Sequence, residues 1–82
     1  MSELSKIAYR AVHAELEGYR GANGPTDYGT ALQASPEEWA KRIRPEAWLT
    51  RTESERDFRR YVLAILAKEL PERRDRWTKG IS

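Results

Sequence analysis

Four of the five glycines in this 82-residue chain fall within twelve residues, in the stretch GYRGANGPTDYG at 18–29. That stretch also carries Pro25. Glycine weakens a helix and proline interrupts one, so the chain is divided early into a short leading segment and a longer remainder. The stretch predicts the end of a first helix near residue 18 and a connecting loop. Its Gly21-x-x-Gly24 spacing resembles loops that clamp a nucleotide backbone. The two intervening residues are Ala22 and Asn23, neither of them basic, and no Gly-Lys-Ser/Thr follows, so a phosphate-binding loop is excluded.

Ahead of the glycines, Leu4, Ile7, Ala8, Ala11, Val12 and Tyr19 recur at helical spacing, with Leu16 at the edge of the face. Ser2 is placed to cap this helix and Glu3 lies in its first turn. After the glycines, Thr26 or Asp27 can cap a short turn carrying Tyr28 and Leu32, although Gly29 in its middle makes a poor helix. SPEEWAKRI is a better helix, with Ser35 as cap, Pro36 in the first turn, Glu38 three residues after the cap and Trp39 stacked on Ile43. RPEAWL predicts a single turn bringing Trp48 and Leu49 inward. The strongest helix runs to Leu70 from a capping box at Thr52/Glu55 or Thr50/Glu53. Phe58, Tyr61, Val62, Leu63, Ile65, Leu66 and Leu70 cover a wide arc of it, which makes it the centre of the fold. Pro71 ends or restarts it, leaving 71–82 as a short terminal helix or a loose basic tail with Trp77. No window alternates with period two. The expectation is an all-α fold: residues 1–82 form a single helical domain, a compact bundle of three main helices with one or two short helical turns.

Composition makes that bundle small-cored. Leu, Ile, Val and Phe number 7, 4, 2 and 1, together 14 of 82 residues, below the roughly one-fifth that warns of disorder. Net charge is only +2, and three Trp with four Tyr add core of their own. There is no cysteine, so disulfides and Cys-containing zinc sites are excluded. The longest apolar run, residues 61–67, is far short of the roughly 20 residues a membrane span needs. The charged N-terminus is no signal peptide. A cytoplasmic protein is the expectation.

No catalytic residue, metal site or cofactor site is predicted. His13 is the only histidine. It lies off the apolar stripe in a polar line Tyr9-His13-Glu17, where an exposed helix residue is expected rather than a general base. Glu15 projects into the apolar stripe and should pair with Arg42, Arg44 or Arg59. Acid pairs such as Glu37-Glu38 and the Glu53/Glu55/Asp57 group sit in first turns, where the helix dipole accounts for them.

Charge is uneven along the chain. Residues 1–40 carry three basic and six acidic groups, and 41–82 the remaining twelve basic and seven acidic ones. The basic side of the second half would present Lys41, Arg42, Arg44, Arg51, Arg56, Arg59 and Arg60. Most have an acid within one helical turn, which favours a salt-laced surface over a nucleic-acid face. Eleven arginines against four lysines, with the seven Trp and Tyr, give the composition of interface anchors. The functional expectation is a non-enzymatic binding module that covers a surface on a larger protein or complex, as regulator, inhibitor or accessory subunit. Its predicted contacts are Asn23, Asp27 and Tyr28 at the loop tip, Arg42, Arg44, Arg56 and Arg60 on the basic side, and Trp77. The alternative is a DNA- or RNA-binding protein using the basic side of 41–60 and the 72–79 tail. A homodimer whose apolar arc completes a shared core is the third reading.

Overall fold

A computed structural model describes residues 2–50 and 52–81, with the backbone alone at 81. Arg51 of the predicted basic side lies outside the described residues. The order of elements is α1 (Glu3–Ala31), α2 (Pro36–Lys41), a 3₁₀ turn (Pro45–Ala47) and α3 (Glu55–Ile81). The all-α expectation holds, and no strand occurs among the described residues.

The glycine-rich stretch is not a loop. Gly18 and Gly21 are helical and exposed, and helical geometry is interrupted only at Gly24, with φ 87° and ψ 168°. That region of backbone space is essentially reserved for glycine. Pro25 disfavours a helical conformation at the residue before it and, with its fixed φ, suits the first position of a new helical limb. One Gly-Pro pair therefore sets the bend, while the other glycines lower helix propensity without stopping the helix. Ser2 caps α1 as expected, its Oγ accepting from the Ser5 amide at 3.1 Å. Ser35 caps α2 in the same way, accepting from the Glu38 amide at 3.2 Å.

At the start of α3 the cap is Ser54, whose Oγ accepts from the Asp57 amide at 3.2 Å. Neither Thr52/Glu55 nor Thr50/Glu53 caps the helix. Glu53 instead accepts from the amide and hydroxyl of Thr50 and closes the turn ahead of it. Those two hydrogen bonds, the backbone one first, hold the Glu53 carboxyl below its ordinary pKa. Three hydroxyl residues at every second position made the cap ambiguous in sequence.

α3 then continues through Pro71 to Ile81, so the predicted break at Pro71 does not occur. Pro71 is exposed, and its missing N–H and ring clash fall on the solvent side. Beyond it, Arg73 and Trp77 are tied to α1, which anchors the continuation.

Contacts between the long helices advance in the same direction along both. Ser2 meets Tyr61, His13 meets Glu69, Glu17 meets Arg73 and Pro25 meets Trp77. α1 and α3 therefore run parallel, and between them in the chain α2 and the 3₁₀ turn pack against α3. The core lies between these layers: Ala8, Ala11, Val12 and Leu16 of α1 against Phe58, Val62, Leu66 and Leu70 of α3, closed by Leu32, Trp39 and Ile43. Trp39 is 2% exposed. It stands edge-on to Tyr19 with centroids 5.5 Å apart, and its Nε1 donates to the Ala31 carbonyl at 3.1 Å. Tyr19 thus packs inward. Glu15 pairs with Arg42 at 3.1 Å, one of the three partners expected for it.

Candidate functional site

The predicted contact residues lie in three separate places. Asn23 and Asp27 are exposed at the bend, where Asn23 Nδ2 donates to the Tyr19 carbonyl at 3.1 Å. Tyr28 is 6% exposed, which counts against a docking role for it. It faces the interior because the bend at Gly24 turns the second limb of α1 onto α3. Trp77 is half-buried, donating through Nε1 to the Pro25 carbonyl at 3.2 Å and resting on Gly29. Arg42 lies over the rings of Tyr19 and Trp39, at 4.9 and 5.4 Å from their centroids, while it pairs with Glu15. Arg44 is exposed on the connection, and Arg56 and Arg60 are exposed near the start of α3. From Arg60 to Trp77 the helix rises about 25 Å.

A cluster that sequence reasoning missed joins the bend to α3. Its centre is Arg73, 8% exposed. Nη1 donates to Glu17 Oε1 at 2.8 Å and to Tyr28 Oη at 2.7 Å, and Nε donates to Glu69 Oε1 at 3.3 Å. Nη2 lies 3.2 Å from His13 Nδ1. A guanidinium only donates, so Nδ1 is the acceptor in this contact; the other ring nitrogen is Nε2. That atom is 3.2 Å from Glu69 Oε1 but lacks hydrogen-bond geometry; the contact is electrostatic. Tyr9 packs on the His13 ring at 4.2 Å between centroids. His13 therefore leans on α3, because Glu69 and Arg73 present the matching pair one turn apart, while Tyr9 and Glu17 on either side of it stay about half exposed.

The electrostatics follow from this geometry. The hydrogen bond from Arg73 holds the Glu17 carboxyl below its ordinary pKa, against a smaller opposing effect of burial. Burial works to lower the pKa of Arg73, but hydrogen bonds with Glu17, Tyr28 and Glu69 outweigh it and raise the pKa above its ordinary value. The guanidinium is a fixed cation joining three segments. The described partners of His13 are Arg73, Glu69 and the Tyr9 ring, with no serine, threonine or cysteine among them.

Two clefts open along the α1–α3 seam. One, of about 400 Å³, lies at the bend, with Tyr28, Arg73 and Trp77 lining it and Arg20 and Arg76 beside them. The other, of about 540 Å³, lies near the N-terminus among Ser2, Leu4, Asp57, Arg60, Tyr61 and Ala64. Among the described residues, no group of three or more His, Cys, Asp or Glu is arranged to hold a metal ion, and no helix is long and apolar enough to cross a membrane.

Most of the exposed arginines at these places lack acidic partners. Arg59 pairs with Glu55 at 3.2 Å, but Arg44, Arg56, Arg60 and Arg76 pair with no carboxylate among the described residues. An acid within one turn in sequence was therefore an unreliable sign of pairing. No protein-family model, curated protein or solved structure matches the chain.

Proposed function

We propose that this protein is a non-enzymatic helical binding module that covers a surface on a larger protein partner, as a regulator, inhibitor or accessory subunit. The observation that carries the reading is the set of exposed arginines without acidic partners among the described residues, accompanied by two exposed tyrosines, Tyr9 at 46% and Tyr61 at 38%. An unpaired guanidinium offers planar, bidentate contact to carboxylates and amide carbonyls. Tyrosine supplies apolar contact area with a polar tip, and both residue types recur among interface anchors. Arg60 and Tyr61 line one cleft together with Leu4 and Asp57, a mixed apolar and charged lining that suits a protein surface. The titratable groups best placed for acid–base chemistry are instead bonded to one another around Arg73, which favours binding over catalysis.

Affinity capture of the tagged protein from nuclease-treated lysate tests this. The expected result is a stoichiometric protein partner whose recovery falls when Arg56 and Arg60 are both changed to Gln. Absence of any stoichiometric partner, or capture abolished by nuclease, would remove the proposal. A dimer by light scattering with no other partner would replace it with self-association.

A further inference from the structure

We infer that the cleft at the bend is an acceptor for the carboxylate side chains of a short acidic segment on a protein partner. The inference rests on the protein-binding reading above and names the chemistry of one contact. The cleft is formed where the second limb of α1 meets the last turns of α3. Its wall is the indole of Trp77, fixed by the Nε1 hydrogen bond to Pro25, and the largely buried Tyr28 lines it without being free to dock. Three arginines line it and one acid, Glu17. Arg73 is committed to the buried cluster, its charge offset by Glu17 and Glu69, so the cations the cleft offers are Arg20 and Arg76. Arg20 is exposed, with Glu17 3.8 Å away and the Tyr28 ring beneath it at 5.8 Å. Arg76 is exposed and has no acidic partner among the described residues. Two exposed guanidinium groups beside an aromatic wall suit a planar oxyanion joined to an apolar stem, which describes a glutamate or aspartate side chain.

The size and the surroundings choose the source. About 400 Å³ is at the small end of ligand sites and takes a few side chains rather than a folded surface. A nucleic-acid strand would have to continue past the cleft, where Glu72 and Asp75 lie within about a turn of Arg76. Its successive phosphates would meet those carboxylates. An acidic segment short enough to end within the cleft meets Arg20 and Arg76 there, with Glu17 the one acid in the lining.

The test is a titration of the ¹⁵N-labelled full chain with a blocked peptide of alternating Glu and Leu, followed through the indole Nε1–H of Trp77 and the Arg Nε–H resonances. A matched Gln/Leu peptide and a thymidine oligonucleotide are the comparisons. The expected result is saturable binding of the Glu peptide that shifts the Trp77 indole and weakens at least about tenfold in Arg20→Gln/Arg76→Gln. Arg56→Gln/Arg60→Gln should leave it unchanged. Both pairs are exposed, so neither change should unfold the chain. Equal binding of the Gln peptide, undiminished binding in Arg20→Gln/Arg76→Gln, binding of the oligonucleotide alone, or no binding at all would each overturn the inference. Those results leave the capture experiment to judge the broader reading, since a captured partner can dock elsewhere on the surface.

Discussion

Gly29 to Ala is a substitution that ordinarily stabilises a helix and should here do the opposite. Gly29 is buried within the second limb of α1. A Cβ at this position would collide with Cε2 and Cζ2 of Trp77 and lie 2.7 Å from its Nε1. Non-bonded carbons sit about 3.5–4.0 Å apart, so the indole would have to retreat by more than about 1 Å. Retreat pulls Nε1 away from the Pro25 carbonyl, 3.2 Å away. Overpacking of this kind costs about 1–3 kcal/mol, whereas replacing helical Gly by Ala contributes about 1 kcal/mol in favour. The net expectation is a loss of about 1 kcal/mol, which lowers Tm by about 4–8 °C in a domain of this size. Gly18 and Gly21 have nothing within 4 Å of a built Cβ, so Gly18→Ala should gain about 0.5–1 kcal/mol. Urea titration followed by circular dichroism measures both. The decisive arm is a double-mutant cycle: with Trp77→Ala already present, adding Gly29→Ala should become stabilising. If Gly29→Ala stabilises the otherwise native chain as much as Gly18→Ala does, or if its effect ignores residue 77, the close packing of α3 on the bend is not what requires glycine there.

Other perturbations separate the remaining parts of the fold. Gly24→Ala should cost about 1–3 kcal/mol in the same urea assay, because its φ of 87° with ψ 168° is a glycine conformation and not because of crowding. Arg73→Met should cost about 3 kcal/mol, since it leaves Glu69, at 12% side-chain exposure, with only His13 beside it; Glu17→Gln, at a half-exposed position, should cost well under half as much. Glu17 also sets an acid dependence. Its carboxyl titrates below the ordinary 4.5 in the folded state, so its contribution is complete above about pH 4.5 and is lost as pH falls through the lower folded value. Stability-against-pH curves of the native protein and Glu17→Gln should therefore be separated at pH 7 and converge in acid, and a constant separation would contradict the Arg73 contact. Ser54→Ala should lower stability by about 1 kcal/mol through loss of the α3 cap, while Thr52→Ala should stay within about 0.5 kcal/mol.

What the sequence made legible is the part governed by local periodicity. The apolar face of α1, the Ser2 and Ser35 caps, the helix at Trp39, the Pro45 turn and the central role of Phe58–Leu70 follow from spacing and capping chemistry, and all are present. What failed was the use of single residues as stop signals. Gly18, Gly21 and Pro71 each weaken a helix by a few kcal/mol at most, and none of them stopped one. The helices continue because long-range contacts outweigh those penalties: Trp77 on Gly29, Arg73 on Glu17, and Arg74 Nη1 donating to the Leu32 carbonyl at 2.9 Å. Only Gly24-Pro25 combined two requirements on one bond, and only there does the helix bend.

The Arg73 cluster was hidden for the same reason. Each half is a pair four residues apart, His13 with Glu17 and Glu69 with Arg73, and either half alone reads as a solvated helix surface. Their relation depends on α1 and α3 lying parallel and in register, which no local pattern reports. The bend then adds Tyr28 as a third side. Once Arg73 is anchored, the last turns of α3 are held against the second limb of α1, and Arg76 and Trp77 are delivered to the rim of the cleft that Arg20 shares. The order of dependence is testable in that form. Arg73→Met should impair acidic-peptide binding by loosening the terminal turns, detected as loss of the hydrogen-bonded Trp77 indole resonance before any peptide is added. Arg76→Gln should impair binding with that resonance intact. If both variants keep the indole signal and differ only in affinity, Arg73 acts through its charge alone, and the cluster does not position the cleft.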